Sequence, residues 1–366
     1  MAVGNKGQRL PSETRWFTDE RTGAIVREAT NFPAVHHHPY FTNCAWTPTG
    51  RHLIFISYRF GAPNLFAVEV ESGEIVQLTD RPDLNPFSAV PLADGMRVAF
   101  TAGESVWAVP LDGGEEEVLA HFPGSRVGNL HLSSDGAWVV TNVRREGGNA
   151  LTAVLTDGGG THTILQTERE VGHVQFAPNP EHEVLYSSEV HQRIWLVAFD
   201  GTGNRWLYKQ REGEWITHES WLNAEEVMFV HWPKALRAIH RDGTGLRTIG
   251  EFSCWHPSAR RDGSLIVCDT HRPDCGLQLV DPDTGERQTL CYPQSSNLGS
   301  QWAFTRPAEG PDRPFTQPST AAEARRETIY GPQWTHPHPS FSPDGQRVVF
   351  TSDRTGWSQV YVVELP

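Results

Sequence analysis

The sequence lacks the cysteine pattern of a disulfide framework or a zinc ribbon. Its 366 residues include five cysteines, an odd number, and no two of them form a Cys-x-x-Cys pair. Disulfide-stapled secreted domains and structural zinc modules usually show paired cysteines at short spacings. A hydrophobic content of 38% instead predicts a fold that is stabilised by a packed core. The cysteines are Cys44, Cys254, Cys268, Cys275 and Cys291.

The sequence is also short of positive charge and of long apolar runs. Lys and Arg number 31 against 44 Asp and Glu, which gives a net charge of −13. Binding to nucleic acid or to an anionic membrane generally needs a basic face, so neither is expected as a partner. No apolar run approaches the roughly 20 residues of a membrane-spanning helix. Residues 1–10 are polar and show no signal-peptide core, which predicts a cytoplasmic location.

What the sequence does have is one unit repeated every 40 to 45 residues or so, roughly the period of β-propeller blades. Each copy contains a short strand, an Asp-Gly-like turn, an apolar strand, an alternating strand, a D-x-x-G turn and a last strand. Period-2 alternation with such turns indicates antiparallel hairpins. The pattern predicts an all-β fold, a seven-bladed β-propeller. Its blades span about residues 44–80, 87–120, 127–167, 172–210, 216–251, 254–291 and 336–365.

The two ends of the chain are predicted to meet in the last blade. That copy has only three strands before Pro366, while residues 15–30 carry the D-x-x-G-x-I pattern of a fourth. The N-terminal strand would therefore complete the C-terminal blade and close the ring, which removes an open sheet edge. Residues 1–366 then form a single domain. A long loop over 292–335, rich in Pro, Gln, Ser, Arg and Glu, leads into the last blade.

Histidine is the compositional outlier, with 17 copies. The first strands of propeller blades line the channel and run in the same direction, so residues near their starts converge on one mouth. We expect grouped imidazoles to be neutral, because protonated ones would repel, and neutral imidazoles bind metals. Such positions are occupied by His131, His173, His218, His256 and His338, and by His36, His37 and His38 before the first blade.

Four residues of this set are the candidate metal ligands: His256, Gln333, His336 and His338. His336 and His338 share one face of an extended segment, because side chains alternate with period 2. Gln333 adds a carboxamide oxygen. Three nitrogens and one oxygen, without a thiolate, suit Mn²⁺, Ni²⁺, Fe²⁺ or Zn²⁺.

A base and a cation are predicted beside the metal. His218 opens the fifth blade, and Arg193 precedes the third strand of the fourth blade. The C5 proton of a uronic acid lies α to a carboxylate, and neutralising that carboxylate by a metal or by Arg193 stabilises an enediolate-like transition state. A histidine of near-neutral pKa can remove this proton, which predicts His218 as the base. We assign His36, His38 and His173 to substrate binding.

At these residues the chain resembles the oligogalacturonate lyases, seven-bladed propeller enzymes of pectin degradation. The likeness is tightest in Gln333-x-x-His336-x-His338-Pro339-Ser340-Phe341 and in the following Asp344 and Phe350-Thr351-Ser352-Asp353. His256 matches the family's other metal histidine. Thr217-His218-Glu219 matches the segment of its catalytic base, and Arg193 matches its active-site arginine.

The resemblance implies a Mn²⁺ cofactor and a lyase that cleaves oligogalacturonides by β-elimination at a 4-linked uronate. The third blade is short around residues 143–149, where enterobacterial members carry a long insertion, so the length of the substrate can differ.

Two other functions stay open at this point. The segment from Ser342 to Arg354 also resembles the repeats of TolB-like propellers, which are protein-interaction modules without catalysis. A propeller scaffold does not fix function, and such a module has no need of converging histidines. A metallohydrolase, in which the metal activates water, is the second alternative, although carboxylates are scarce near the quartet. No signal for an oligomeric state is visible.

Overall fold

The computed structural model describes residues 5–271, 273–297 and 335–366. In these ranges the chain forms 30 β-strands in seven antiparallel sheets, and it contains no α-helix. The described residues therefore contain no helix that is long and apolar enough to cross a membrane. The predicted all-β, seven-bladed propeller is confirmed.

The N-terminal segment and the first three blades hold the strands up to residue 167. The N-terminal segment contributes β1 (Arg9–Leu10), β2 (Arg15–Thr18) and β3 (Ile25–Glu28). Blade 1 contains β4 (His36–His37), β5 (His52–Ser57), β6 (Asn64–Glu69) and β7 (Ile75–Gln77). Blade 2 contains β8 (Val90–Pro91), β9 (Arg97–Ala102), β10 (Ser105–Pro110) and β11 (Glu117–His121). Blade 3 contains β12 (Arg126–Leu132), β13 (Trp138–Arg145), β14 (Gly148–Leu155) and β15 (Thr161–Thr167).

The remaining four blades follow in chain order. Blade 4 contains β16 (Gly172–Phe176), β17 (Val184–Ser187), β18 (Ile194–Val197) and β19 (Arg205–Trp206). Blade 5 contains β20 (Trp215–Trp221), β21 (Glu226–Trp232), β22 (Ala235–His240) and β23 (Arg247–Gly250). Blade 6 contains β24 (Cys254–Ala259), β25 (Ile266–Thr270), β26 (Leu277–Val280) and β27 (Arg287–Cys291). Blade 7 contains β28 (Ser340–Phe341), β29 (Arg347–Ser352) and β30 (Gln359–Glu364).

The core is a ring of seven apolar clusters, one at each seam between neighbouring blades. Successive residues of a strand point to opposite faces of its sheet, so each strand serves two seams. In β29, Val348 and Phe350 pack against blade 6, while Val349 packs against blade 1. The alternation read from the sequence therefore fixes which residues fill which seam.

The Asp-Gly turns recur between the first and second strands of a blade. Gly345 has a φ of 67°, a conformation that a side chain disfavours, and a Cβ there would lie 2.6 Å from Arg260 Cδ of the neighbouring blade. The carboxylate of Asp344 accepts a hydrogen bond from the backbone N–H of Gln346 at 3.1 Å. Backbone geometry and the approach of the next blade both select the Asp-Gly pair.

The predicted closure of the ring is confirmed, and it involves two N-terminal strands where the sequence suggested one. The last sheet has the order β2-β3-β30-β29-β28, so β3 pairs with the C-terminal strand and β2 lies at the outer edge. The register aligns Val26 with Val363 and Glu28 with Tyr361. In addition, β1 pairs with β7 of blade 1, so the N-terminal segment contacts both blades that flank the closure. The assignment of 1–366 to one domain, with a loop over 292–335, stays a prediction, because most of that loop lies outside the described residues.

Candidate metal centre and active site

Three of the predicted metal ligands lie together. His256 is in β24, and His336 and His338 precede β28 of the next blade. One ring nitrogen from each lies within 4.8 Å of the others, and all three side chains are buried. The ring centroids are 4.1 Å apart for His256 and His338, 5.4 Å for His256 and His336, and 5.7 Å for His336 and His338. Gln333 lies outside the described residues, so its place in the quartet stays a prediction.

The chemical state of these imidazoles fits a cation. His256 Nε2 and His338 Nε2 are buried and have no hydrogen-bond partner among the described residues. Burial, followed by the positive charge of neighbouring histidines, lowers the pKa of His336 to about 3 and the pKa values of His256 and His338 well below their usual value. Neutral rings keep a free lone pair, and leaving a buried polar atom unpaired costs free energy unless a ligand takes it up. Three protein nitrogens are also the protein ligand set of several catalytic metal sites that keep a position open.

The carboxylate of Asp269 orients the predicted metal ligand His256 and also contacts the backbone of His338. This carboxylate, in β25, accepts hydrogen bonds from His256 Nδ1–H at 2.8 Å and from the His256 backbone N–H at 2.7 Å. A longer bond of 3.4 Å comes from the backbone N–H of His338. With its proton held on Nδ1, His256 presents Nε2 as an electron-pair donor. Burial raises the pKa of Asp269 to about 6, so the ionised carboxylate is costly until a nearby positive charge compensates for it.

Bulges in the first strands of three blades aim side chains at the channel mouth. The pairing registers shift between Gly172 and Gln175 in β16, between Thr217 and Ser220 in β20, and between Cys254 and Pro257 in β24. His173 and His218 sit inside these bulges with φ of 45° and 49°, and His338 has φ of 46°. Non-glycine residues seldom adopt positive φ, and such residues cluster at functional sites. The backbone therefore carries strain where the histidines converge.

His218 lies next to the metal group, as a base acting on a bound substrate would require. Its ring centroid is 4.3 Å from that of His256 and 4.5 Å from that of Trp255. Its Nδ1 is buried and has no hydrogen-bond partner among the described residues. Burial and the charges of His256, His173 and Arg193 hold its pKa well below the ordinary value, so the ring is neutral but is a weaker base than the histidine of near-neutral pKa that the sequence predicted.

Arg193 and His173 are held by the carboxylate of Glu219, which was not among the site residues predicted from sequence. Glu219 is fully buried and accepts hydrogen bonds from Arg193 Nε at 2.8 Å and Nη2 at 3.4 Å. Its other contact is His173 Nδ1, at 3.0 Å. Burial opposes ionisation of Glu219, but the charges of Arg193 and His173 lower its pKa to about 2. Arg193 is thus fixed in one orientation beside His173.

Tyr40 and Phe41 fill the channel next to the histidines. The Tyr40 ring lies 5.0 Å from His338 and 5.3 Å from His173, measured between centroids, and the Tyr40 hydroxyl is 3.5 Å from His173 Nε2. The centroid of the Phe41 ring lies 5.6 Å from that of His218 and 5.3 Å from that of His256. The two aromatic rings therefore pack against two of the predicted metal ligands and against His218.

His36 and His38 are buried and bond to backbone carbonyl groups. His36 Nε2 lies 3.2 Å from the carbonyl of Phe32, and its ring packs on Phe55 in the seam between blades 7 and 1. His38 Nε2 lies 3.1 Å from the carbonyl of Pro337, between His336 and His338. His38 therefore supports the metal-ligand segment, whereas His36 faces a seam. Their roles in substrate binding stay predictions.

The expectation that His131 joins the same group is wrong. His131 is the sixth residue of β12, four residues further along its strand than His173 is along β16, so it lies deeper in the channel. Its Nδ1 accepts a hydrogen bond from the backbone N–H of Phe176 at 3.1 Å. It lines a separate cavity of about 610 Å³ at the opposite end of the channel, together with Phe41 and Arg261.

The fold and the site together define a class of protein: a seven-bladed propeller in which buried histidines at the channel mouth are close enough together to bind a metal ion. No family model matches the chain. A relative from Pectobacterium atrosepticum, named oligogalacturonide lyase, is 24% identical over 404 residues, which cover 99% of this chain and 98% of the relative. Among solved structures, an oligogalacturonate lyase in complex with manganese matches with a TM-score of 0.82 and 24% identity, over 99% of this chain and 98% of that one.

The predicted resemblance to the oligogalacturonate lyases is therefore confirmed along the whole chain, and these relatives support the prediction of a polysaccharide lyase. Likeness to a TolB protein is more local. The Tol-Pal system protein TolB of Anaeromyxobacter dehalogenans is 34% identical over 83 residues, which is 22% of this chain. That extent is what a shared blade repeat produces.

Proposed function

We propose that this protein is a metal-dependent lyase that cleaves oligogalacturonides by β-elimination at a 4-linked uronate. A divalent cation would be held by His256, His336 and His338, with Gln333 from the preceding segment. Mn²⁺ is the proposed cation, because the similar oligogalacturonate lyase structure is a complex with manganese. The main support for the proposal is two buried nitrogens, His256 Nε2 and His338 Nε2, that have no hydrogen-bond partner among the described residues, on rings whose ligand atoms lie within 4.8 Å of one another beside neutral His218. The acidic sugar would be the substrate, and the cytoplasm is the proposed location.

The uronate carboxylate determines how the site would work. A bound cation supplies Lewis-acid neutralisation of that carboxylate, which acidifies the C5 proton. Arg193, held by Glu219, offers a second positive charge to the same group. Neutral His218 accepts the C5 proton, and the electrons of the broken C5–H bond form the C4=C5 double bond. The C4–O bond breaks, and its oxygen leaves with the neighbouring sugar and takes a proton.

The surroundings of His218 favour proton abstraction over the activation of water. Trp255 and Phe41 pack against its ring, so its immediate neighbours on those sides are apolar. Apart from Asp269, which bonds to His256, the carboxylate beside this group is Glu219, which bonds to Arg193 and His173. No spare carboxylate among the described residues contacts His218 and could serve as the base of a metallohydrolase.

The test compares metal-stripped and Mn²⁺-restored protein on oligogalacturonides by the ultraviolet absorbance of the unsaturated product. We expect absorbance to rise only in the restored protein and to be abolished by His338→Ala. His121→Ala changes an exposed histidine on the outer strand of blade 2 and serves as the control, with activity near that of the native protein. A rise that is equal with and without metal, or no rise in either, would reject the proposal.

A further inference from the structure

Elimination at a 4-linked galacturonate needs a proton donor as well as the base His218. In this sugar the C5 hydrogen and the C4 oxygen are axial on opposite faces of the ring. His218 takes the C5 proton from one face, so a second group must protonate the departing C4 oxygen from the other. An alkoxide is a poor leaving group, and a general acid that protonates it contributes typically about 10²- to 10⁴-fold to the rate.

Two charged groups beside the base are unsuited to this step. Arg193 does not give up a proton in a protein. Burial opposes ionisation of Glu219, but the charges of Arg193 and His173 lower its pKa to about 2, so its carboxylate holds no proton to donate. The remaining acids in contact with this pair are the imidazole of His173 and, through it, the hydroxyl of Tyr40.

Access to the substrate favours His173 over Tyr40. The side chain of His173 is 24% exposed, whereas Tyr40 is 6% exposed and packs edge-on against His338, with ring centroids 5.0 Å apart. A proton donor must touch the sugar oxygen that it protonates. The imidazole reaches the opening of the channel, and the phenol lies against a predicted metal ligand.

The separation of His173 from His218 suits a donor and a base on opposite faces of one sugar. Each hydrogen bond adds about 2.8 Å to the short C5–C4–O4 path, so the two nitrogens should lie roughly 6 to 7 Å apart. The ring centroids of His173 and His218 are 6.3 Å apart, and the rings are nearly parallel, with 14° between their planes. Neighbouring blades therefore present two imidazoles at the spacing that anti elimination requires.

Glu219 fixes the orientation of His173 and compensates its positive charge. The buried carboxylate accepts a hydrogen bond from His173 Nδ1–H at 3.0 Å, so Nε2 is directed away from Glu219 and lies 3.5 Å from the Tyr40 hydroxyl. A carboxylate bonded to an imidazole stabilises the imidazolium. Arg193 Nη2, 3.1 Å from Nδ1, opposes that charge, and the uronate carboxylate that Arg193 is proposed to bind would offset it.

We propose that His173 is the general acid of the elimination and that Glu219 is its positioning residue. The Nε2–H of protonated His173 gives its proton to the C4 oxygen as the C4–O bond breaks. His218 takes the C5 proton, and the electron pair of the C5–H bond forms the C4=C5 double bond. His218 ends protonated and His173 neutral, and proton exchange with water restores both. This inference rests on the proposed function, because it assigns a role within the same reaction.

The experiment measures kcat and KM for digalacturonate in Mn²⁺-loaded native protein, His173→Gln and His121→Ala. Glutamine keeps a hydrogen-bonding amide but cannot transfer a proton. We expect His173→Gln to lower kcat by about 10²-fold or more while KM changes by less than about threefold. His121→Ala, on the outer strand of blade 2, should match native protein. A raised KM with native kcat in His173→Gln would limit His173 to binding and overturn the inference.

A second substrate tests the same step through its leaving group. In a galacturonate that carries 4-nitrophenoxide at C4, the leaving group is stable as an anion and departs without a proton. On this substrate we expect His173→Gln to keep kcat within about tenfold of the native value. An equal loss on both substrates, or a loss confined to digalacturonate in Tyr40→Phe and absent in His173→Gln, would overturn the assignment of His173.

Native protein separates this inference from the proposed function. Absence of unsaturated product from digalacturonate in native protein would reject the proposed function itself. Elimination by native protein together with undiminished kcat in His173→Gln would leave the proposed function in place and overturn the role of His173 alone.

Discussion

Replacing Asp269 by Asn should weaken metal binding without removing any metal ligand. The carboxylate now accepts the proton of His256 Nδ1 at 2.8 Å and the backbone N–H of His256 at 2.7 Å. An Asn side chain can keep the backbone bond through its oxygen, but it then offers its NH₂ group to Nδ1. His256 would accept that bond with an unprotonated Nδ1 and would carry its proton on Nε2, the atom that must face the cation.

The size of the effect follows from the role of such outer partners. Loss of a carboxylate behind a metal-binding histidine typically costs about 10- to 100-fold in affinity, or about 1.4 to 2.8 kcal/mol. Folding should be preserved, because burial raises the pKa of Asp269 to about 6 and the neutral amide avoids the cost of a buried charge at neutral pH. The metal-free variant should therefore unfold near the temperature of the native protein.

The assay is a calorimetric titration of metal-free protein with Mn²⁺ near neutral pH, with Glu219→Gln as the control. Glu219 is also a buried carboxylate of the site, but it contacts Arg193 and His173 and none of the three predicted histidine ligands. Native affinity in Asp269→Asn, or an equal loss in Glu219→Gln, would refute the orienting role of Asp269.

Three further predictions concern the base, the buried carboxylate and the ring closure. His218→Ala should lower kcat by about 10²- to 10⁴-fold while leaving the Kd for Mn²⁺ near the native value, and retention of more than a tenth of kcat would remove it as the base. The pKa of Glu219 is lowered to about 2 from 4.5, so its stabilisation is present above pH 4.5 and is lost as the pH falls towards 2. Acid unfolding of Glu219→Gln should therefore depend less on pH in that window, and an unchanged slope would contradict the ion pair with Arg193. Val26→Ala, at the closing strand, should lower the free energy of unfolding in urea by about 2 kcal/mol. Ile25→Ala, which changes an exposed neighbour, should cost less than about 0.5 kcal/mol, and equal effects would argue against the closed seam.

The fold could be predicted from sequence because its signals are local and repeated. Alternating apolar residues and Asp-Gly turns recur in each blade, and each turn is selected by its own backbone geometry, as at Gly345. The pairing of residues 15–30 with the last blade was visible because one copy lacked a strand. The second N-terminal strand and the pairing of β1 with β7 were missed, since strands of two to four residues leave little periodicity.

The sequence predicted which residue types form the candidate site, but it predicted less well where each side chain lies along the channel. The convergence of His256, His336 and His338 followed from their places in the repeat. His131 was misplaced because a spacing of a few residues along a strand decides the end of the channel at which a side chain emerges. Asp269 was missed, although an acidic residue within the apolar strand Ile266–Thr270 was an available signal. The bulges around His173 and His218 could not be predicted, because they depend on positive φ angles and neither residue is a glycine, the residue type that would indicate such angles.

Elimination and hydrolysis are distinguished by mass spectrometry of the products that the Mn²⁺-loaded protein forms from tetragalacturonate in water enriched in ¹⁸O. β-Elimination through His218 breaks the C4–O bond without adding water. We therefore predict one fragment that is lighter than its saturated counterpart by the mass of one water, and no enzyme-dependent ¹⁸O in either fragment. Two saturated fragments with ¹⁸O incorporated at the cleavage point would show hydrolysis and would contradict β-elimination.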